Sequence, residues 1–254
     1  AVFKEIAGVC KDFGIQAGHI TAVATAAIRE ASNGQGFVAE VLQATGIQIQ
    51  VISGEIEAKL ALQGAMLGLP ETTGSDMLLF DIGGGSTEFS RVSSGELNDT
   101  ISTKMGVVRL TEMYLKTNPA SVQDYAAMKE GALAFLKEVE AFWGGDTTLP
   151  NYMVGTAGTV TTLAAIAQDM LVYDAAQIDG YCMSEEDFCI LRDNLLAKTN
   201  AERLLIPGLE KGREDVIVAG LAIIDAMFKR WGYTSLTAVD SGLLMGLLTF
   251  SEEL

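Results

Sequence analysis

The stretch LLFDIGGGSTEFS, Leu78 to Ser90, limits the folds open to this chain more than any other segment. An apolar run ends in Asp81, glycines stand at 83, 84 and 85, and Ser86-Thr87-Glu88 leads into a second extended segment. A P-loop needs Gly-Lys-Ser/Thr opening a helix, and no lysine follows here. A dinucleotide-binding fingerprint needs a glycine where Glu88 stands, again with a helix behind it, and a G-x-S-x-G elbow needs one at the same place. What remains is a strand–glycine–strand hairpin. Glycines permit positive φ and let an anion reach the backbone without a Cβ in the way. Successive N–H groups can then form a nest for it. One glycine is enough for a tightly packed hairpin; three, bracketed by carboxylates and hydroxyls, favour a phosphate cradle. Asp81 and Glu88 would repel bare phosphate, so the reading calls for a cation between them. Mg²⁺ suits it, because it is held by one or two carboxylates plus phosphate oxygens.

A second glycine loop, VGTAGTVTTLAAIA, runs from Val154 to Ala167. Its Gly155-Thr156-Ala157-Gly158-Thr159 segment follows a short strand and opens a helix, whose first N–H groups and dipole favour an anion. Alone this is equally an ordinary strand–helix turn. Beside the first loop it predicts two walls of one anion site.

The order of elements supports such a pairing. Before residue 69 the pattern reads helix (1–14), strand (from 19), helix (to a Gly46 cap), strand (47–53), helix (54–67). Leu69 to Ser75, with Pro70 and Gly74, is the expected domain boundary. After it come three consecutive strands (from Met77, 87–92 and 100–105) with a Ser93-Ser94-Gly95 turn, then helix, strand, helix, strand, helix. The first region matches the second half of this unit. The expectation is therefore a duplicated α/β fold whose first copy lacks its opening three strands.

Composition sets the remaining bounds. At 254 residues with 49% hydrophobic side chains, the chain can bury a sizeable core, and no apolar run reaches the ~18 residues of a membrane span. The net charge of −16 speaks against nucleic acid or an anionic membrane as a general partner. It leaves room for a small anionic substrate, because charges beyond a Debye length of ~8 Å are screened. Cys10, Cys182 and Cys189 form no C-x-x-C and fit a reducing cytoplasm, and the single His19 cannot anchor a histidine-rich zinc site.

Taken together, ATAAIREASNG (24–34), ISGEIEA (52–58), FDIGGGSTE (80–88), MGVVRLTE (105–112), VGTAGT (154–159) and ERLLIPGLEKGREDVIVAGLAII (202–224) resemble the exopolyphosphatase / guanosine pentaphosphate phosphohydrolase family of the actin-like ATPase superfamily. The resemblance covers almost the whole chain. It implies two actin-like (ribonuclease H-like) domains with the active site in the cleft between them. Residues 1–74 would be the remainder of domain I, 75–240 domain II, and 241–254 a C-terminal helix that can pack back on domain I. It implies Mg²⁺-dependent hydrolysis of a terminal phosphoanhydride, in polyphosphate or guanosine pentaphosphate, by a cytoplasmic enzyme for which a homodimer is allowed. By position, Glu57 matches the glutamate that activates water, Asp81 the metal-associated aspartate, and Glu88 lies in the same motif. Gly83, Gly84, Gly85 and Ser86 match the phosphate loop, and Arg29 matches an arginine expected near phosphate. Gly155, Thr156, Gly158 and Thr159 complete the expected phosphate contacts.

The residues alone would not choose Glu57 over Glu55, since either suits a helix start, nor would they set Arg29 apart from a surface ion pair. Two departures from the family pattern stand out. The opening Asp-Ile-Gly-Ser/Thr-Asn-like loop is missing, so the chain is expected to be a fragment. The family's Gly-Leu-Arg-Glu-Gly reads here Gly242-Leu243-Leu244-Met245-Gly246. The rival functions are an actin-like ATP-dependent kinase and a non-catalytic sensor of polyphosphate or guanosine tetraphosphate.

Overall fold

Period-2 alternation along Asp76–Ile82 sends Leu78, Phe80 and Ile82 to one face of a sheet and Met77 and Leu79 to the other, all of them buried. Each such side chain stabilises the fold by ~1.5–3 kcal/mol relative to exposure. Both faces must therefore be covered, and two separate apolar clusters do so.

The computed structural model describes residues 2–145 and 148–249. Two compact units divide them, 2–57 and 58–249. The first contains α1 (Val2–Asp12), β1 (Ala22–Ala24), α2 (Ala26–Arg29), α3 (Gly34–Thr45), β2 (Ile49–Val51) and the opening turn of α4 (Gly54–Leu67). β1 and β2 pair in parallel, with Ala22 opposite Ile49 and Ala24 opposite Val51. α3 ends at Gly46, whose left-handed φ of 75° lets its N–H return to Leu42 O. α1 meets α3 through Phe3 on Phe37, 5.8 Å between centroids, while the Val2, Ile6, Val9 and Phe13 side is exposed.

The second unit continues α4 and adds α5 (Glu71–Gly74), β3 (Asp76–Ile82), β4 (Thr87–Ser93), β5 (Glu96–Thr103), α6 (Val107–Tyr114) and α7 (Val122–Phe142). Next come β6 (Tyr152–Thr156), α8 (Ala157–Ala167), α9 (Ala175–Ile178), β7 (Cys182–Ser184), α10 (Glu185–Leu196) and α11 (Asn200–Arg203). The last elements are α12 (Ile217–Trp231), β8 (Ser235–Ala238) and α13 (Leu243–Thr249). The sheet order is β5-β4-β3-β6-β8-β7. β3–β4 and β4–β5 are antiparallel, β3–β6 and β6–β8 parallel, and β7 closes the edge antiparallel to β8. Three meandering strands followed by two parallel ones give the ribonuclease H-like order of an actin-like domain. In the first unit, β1, its helical crossover, β2 and α4 repeat the second half of that pattern.

Several features differ from the sequence expectation, among them the short helices α2, α9 and α11, which it did not place. The unit boundary falls between residues 57 and 58, inside α4, rather than at 74/75. Its cause is the later turns of α4, where Leu62 and Ala65 pack on Met77, Leu79, Val92, Val154 and Val239. The 69–75 linker contains α5. The short edge strand β7 was too brief to carry a period. At the hairpin between β4 and β5, Ser94 and Gly95 both take positive φ, 54° and 77°, the geometry that joins antiparallel strands through two residues.

α13 lies on α4 at backbone contact. A Cβ on Gly64 would stand 1.9 Å from Gly242 O, and one on Gly246 1.8 Å from Leu60 O. That packing accounts for Gly64 of α4 and Gly246 of α13, whereas a Cβ on Gly242 would stand 3.0 Å from Thr156 Oγ1. Residues 250–254 of the expected C-terminal helix lie outside the described residues. Among the described residues no helix is long and apolar enough to cross a membrane.

Candidate active site

Asp81 sits near the carboxyl end of β3, where its in-register neighbours are Glu88 on β4 and Thr156 on β6. It belongs to the same face as Met77 and Leu79, so Asp81 and Glu88 stand side by side across an antiparallel pair. Like charges placed directly opposite one another repel. Glu88 Oε1 accepts a 2.6 Å hydrogen bond from Ser102, which orients one carboxylate. Two such groups fit Mg²⁺, which takes one or two carboxylates and fills its octahedron with water and phosphate oxygens. Among the described residues no cluster of three or more His, Cys, Asp or Glu suited to a metal occurs.

The loop between β3 and β4 is closed by Gly83 N–H donating to Ser86 O at 2.9 Å. Its carbonyls turn inward: Gly83 O accepts from Val107 N–H at 3.0 Å and Gly84 O from Val108 N–H at 2.9 Å. The free amides of α6 are thereby consumed by the loop, and α6 offers no anion site. None of Gly83, Gly84 and Gly85 has a left-handed φ. The expectation that they serve positive φ is corrected. Close approach is what remains, and it is strongest at Gly106, where a Cβ would lie 2.3 Å from Gly84 O. At Gly85 a Cβ would meet nothing within 4 Å, so that glycine leaves an open approach to the backbone.

The second loop uses its residues differently. Gly155 is buried, and a Cβ there would lie 2.6 Å from both Phe80 Cζ and Val160 Cγ2. Thr159 is also buried, and its Cγ2 fills the space above Gly220 of α12. The structure thus places Gly155 and Thr159 in the packing beneath the loop. The left-handed residue is Ala157, at φ 63°, where strand becomes helix. A non-glycine there costs of order 1–2 kcal/mol, strain of a kind that gathers at functional sites. Thr156, Ala157 and Gly158 reach the surface of a cavity of about 570 Å³, which Asp81 also lines.

Sequence reasoning missed four residues in this cavity: Tyr173, Glu210, Arg213 and Asp240. Arg213 lies over Gly158, and a Cβ on that glycine would stand 1.9 Å from its Nη1. Gly158 therefore makes room for a guanidinium. Arg213 Nε donates to Glu210 at 3.1 Å. The signal was available, since Arg213 falls inside the 202–224 motif, but nothing in its local pattern marks it above Lys211. Tyr173 donates to Asp240. Partial burial, then that bond, push its hydroxyl far above the ordinary tyrosine range and keep it neutral. Leu244 and Met245 form the wall where the family pattern has Arg-Glu.

In the first unit, Glu57 sits in the first turn of α4, and Ser53 Oγ accepts from Ile56 N–H at that helix start. Arg29, the last residue of α2, donates through Nη1 to Ile52 O at 2.8 Å and to Glu57 Oε2 at 3.4 Å. Its partner is thus Glu57, the glutamate that the motif singled out. The side chains are 32% and 21% exposed, so both can be approached by solute. A separate opening of about 500 Å³ in this unit, lined by Lys4 and Lys11, contains no motif residue.

The Ppx/GppA phosphatase family profile matches residues 1–253. The chain is 32% identical over 234 residues to exopolyphosphatase 2 of Mycobacterium tuberculosis, covering 89% of this chain and 72% of that protein. It is 30% identical over 249 residues to a bifunctional 3-dehydroquinate synthase/phosphatase of Fusobacterium nucleatum, of which it spans 36%. Among solved structures at 28% identity, the Aquifex aeolicus Ppx/GppA family member superposes with a TM-score of 0.82 over 97% of this chain and 78% of its own. The Cytophaga hutchinsonii exopolyphosphatase does so with a TM-score of 0.85 over 98% and 78%. With its sequence matched end to end and its fold shared at this level, the chain belongs to the Ppx/GppA phosphatase family.

Proposed function

We propose that the protein hydrolyses the terminal phosphoanhydride of inorganic polyphosphate or guanosine pentaphosphate and releases orthophosphate. The observation that carries this reading is the in-register row Glu88–Asp81–Thr156, which shares the Thr156–Gly158 end of its cavity with Arg213. Carboxylates and a guanidinium gathered where β3 and β6 reach their carboxyl ends suit an anion that arrives with a cation. Phosphoryl transfer needs little covalent help from protein, and depends on positioning and on neutralising charge spread over the phosphate oxygens.

Glu57 is the general base. It takes a proton from water as the water oxygen bonds to the terminal phosphorus, and the bridging P–O bond breaks with its electrons leaving on the shortened chain. Arg29 holds the Glu57 carboxylate before substrate arrives, through the 3.4 Å contact. Arg213, the Thr156 hydroxyl and the exposed backbone at Gly84 and Gly85 receive phosphate oxygens. Asp81 and Glu88 are the residues that would hold Mg²⁺, which supplies charge neutralisation to the phosphates when bound.

The test is orthophosphate release by the intact protein, with polyphosphate and guanosine pentaphosphate compared in Mg²⁺ and in excess chelator. Release from either substrate, abolished by chelator, supports the reading. Binding without turnover would point to a sensor, and phosphate passed to a small acceptor rather than water to a kinase.

A further inference from the structure

Arg203 is the largest fully buried side chain of the described residues, at 1% exposure, and it has no carboxylate partner among them. A guanidinium buried without an ion pair is costly, and proteins retain one only where several acceptors repay it. Burial holds its pKa below the ordinary arginine value. Its donors go to Leu195 O at 2.9 Å, Asn200 Oδ1 at 3.0 Å and Glu214 O at 3.0 Å, while Nη2 has no partner. The first of these lies at the C-terminus of α10, where a cation is favoured by the helix dipole.

The Glu214 bond has a different consequence. Residues 204–216 join α11 to α12 without regular structure, turning at Gly208 and Gly212 with φ of 85° and 93°. Arg203 stands at the start of that segment, and its side chain grips the carbonyl eleven residues on, one residue after Arg213. The loop's two ends are thus fastened by one buried group, and the residue beside the clasp is the one that reaches into the cavity over Gly158. Compact loops packed by their own side chains are frequently functional, and binding residues gather on loops that a rigid scaffold positions.

We infer that Arg203 is a positioning residue for the anion site, acting through the Glu214 carbonyl to fix Arg213 over Gly158. The inference rests on the proposed anion-binding role of the cavity. The test uses the full-length protein, titrated with inorganic tripolyphosphate in Mg²⁺ well below the melting temperature of every variant. Arg213→Met is expected to weaken binding tenfold or more; if it leaves binding unchanged, the cavity reading itself fails, and this inference with it. Given that loss, Arg203→Met is expected to weaken binding by a similar factor, and the double variant to bind no more weakly than Arg213→Met alone. Multiplicative losses in the double variant, or unchanged binding in Arg203→Met, would overturn the inference while leaving the cavity reading intact. Should Arg203→Met not fold, Arg203→Lys carries the same cycle. A lysine keeps the charge but cannot span three acceptors, so its loss should again vanish in the Arg213→Met background.

Discussion

The two glycine loops of the second unit look alike in sequence and are built on different principles. The loop at Gly83–Ser86 is a hairpin tip whose carbonyls are bound by the amides of α6, with the close packing displaced onto Gly106. A Cβ on its own Gly85 would meet nothing within 4 Å. In the loop at Gly155–Thr159, by contrast, one glycine is buried against Phe80 and Val160, another yields space to Arg213, and the backbone strain falls on Ala157. A glycine-rich motif therefore marks crowding as readily as it marks ligand contact. Only the neighbours of each Cβ position tell the two apart.

That contrast can be broken or sharpened one glycine at a time. The largest loss is expected from Gly106→Ala, where the new methyl meets backbone at 2.3 Å, which cannot swing aside. It should cost ~3 kcal/mol in chemical denaturation, the upper part of the usual overpacking range. Gly155→Ala meets two side-chain tips at 2.6 Å and should cost ~2 kcal/mol by the same measurement, since Phe80 and Val160 can partly yield. Gly85→Ala should change stability by less than ~0.5 kcal/mol, as surface substitutions do. It should still weaken inorganic tripolyphosphate severalfold in calorimetric titration. A destabilisation at Gly85 equal to that at Gly155 would show that the first loop, too, uses its glycines for packing.

Much of this architecture was legible in the chain. α4 begins and ends where the sequence placed it, with Ser53 Oγ accepting from Ile56 N–H at its start. The β3–β4–β5 meander followed from alternation and the Ser94-Gly95 turn. The pairing of Asp81 with Glu88 was implicit once the turn between them was fixed, since antiparallel register couples the two positions. Arg213 and Asp240 were hidden, because their approach to the cavity depends on long-range packing and not on any local period. The burial of Gly155 and Thr159 was hidden for the same reason: Phe80 and Gly220 lie 75 and 61 residues away in the chain. The unit boundary was masked by Pro70 and Gly74, a strong local break, whereas the decisive contacts are those of Leu62 and Ala65 with the sheet.

The central claim is that Glu57 takes a proton from water in a metal-dependent phosphoanhydride hydrolysis. Its most direct test is orthophosphate release from polyphosphate and guanosine pentaphosphate in Mg²⁺ by intact wild-type protein and by Glu57→Gln, with tripolyphosphate binding measured on both. The predicted result is a rate lower by ~10²–10⁴ in the variant, the usual contribution of a general base, with binding changed less than about threefold. A variant that turns over either substrate as fast as the wild type would contradict the assignment, and a wild type that releases no phosphate from either would contradict the proposed function as a whole.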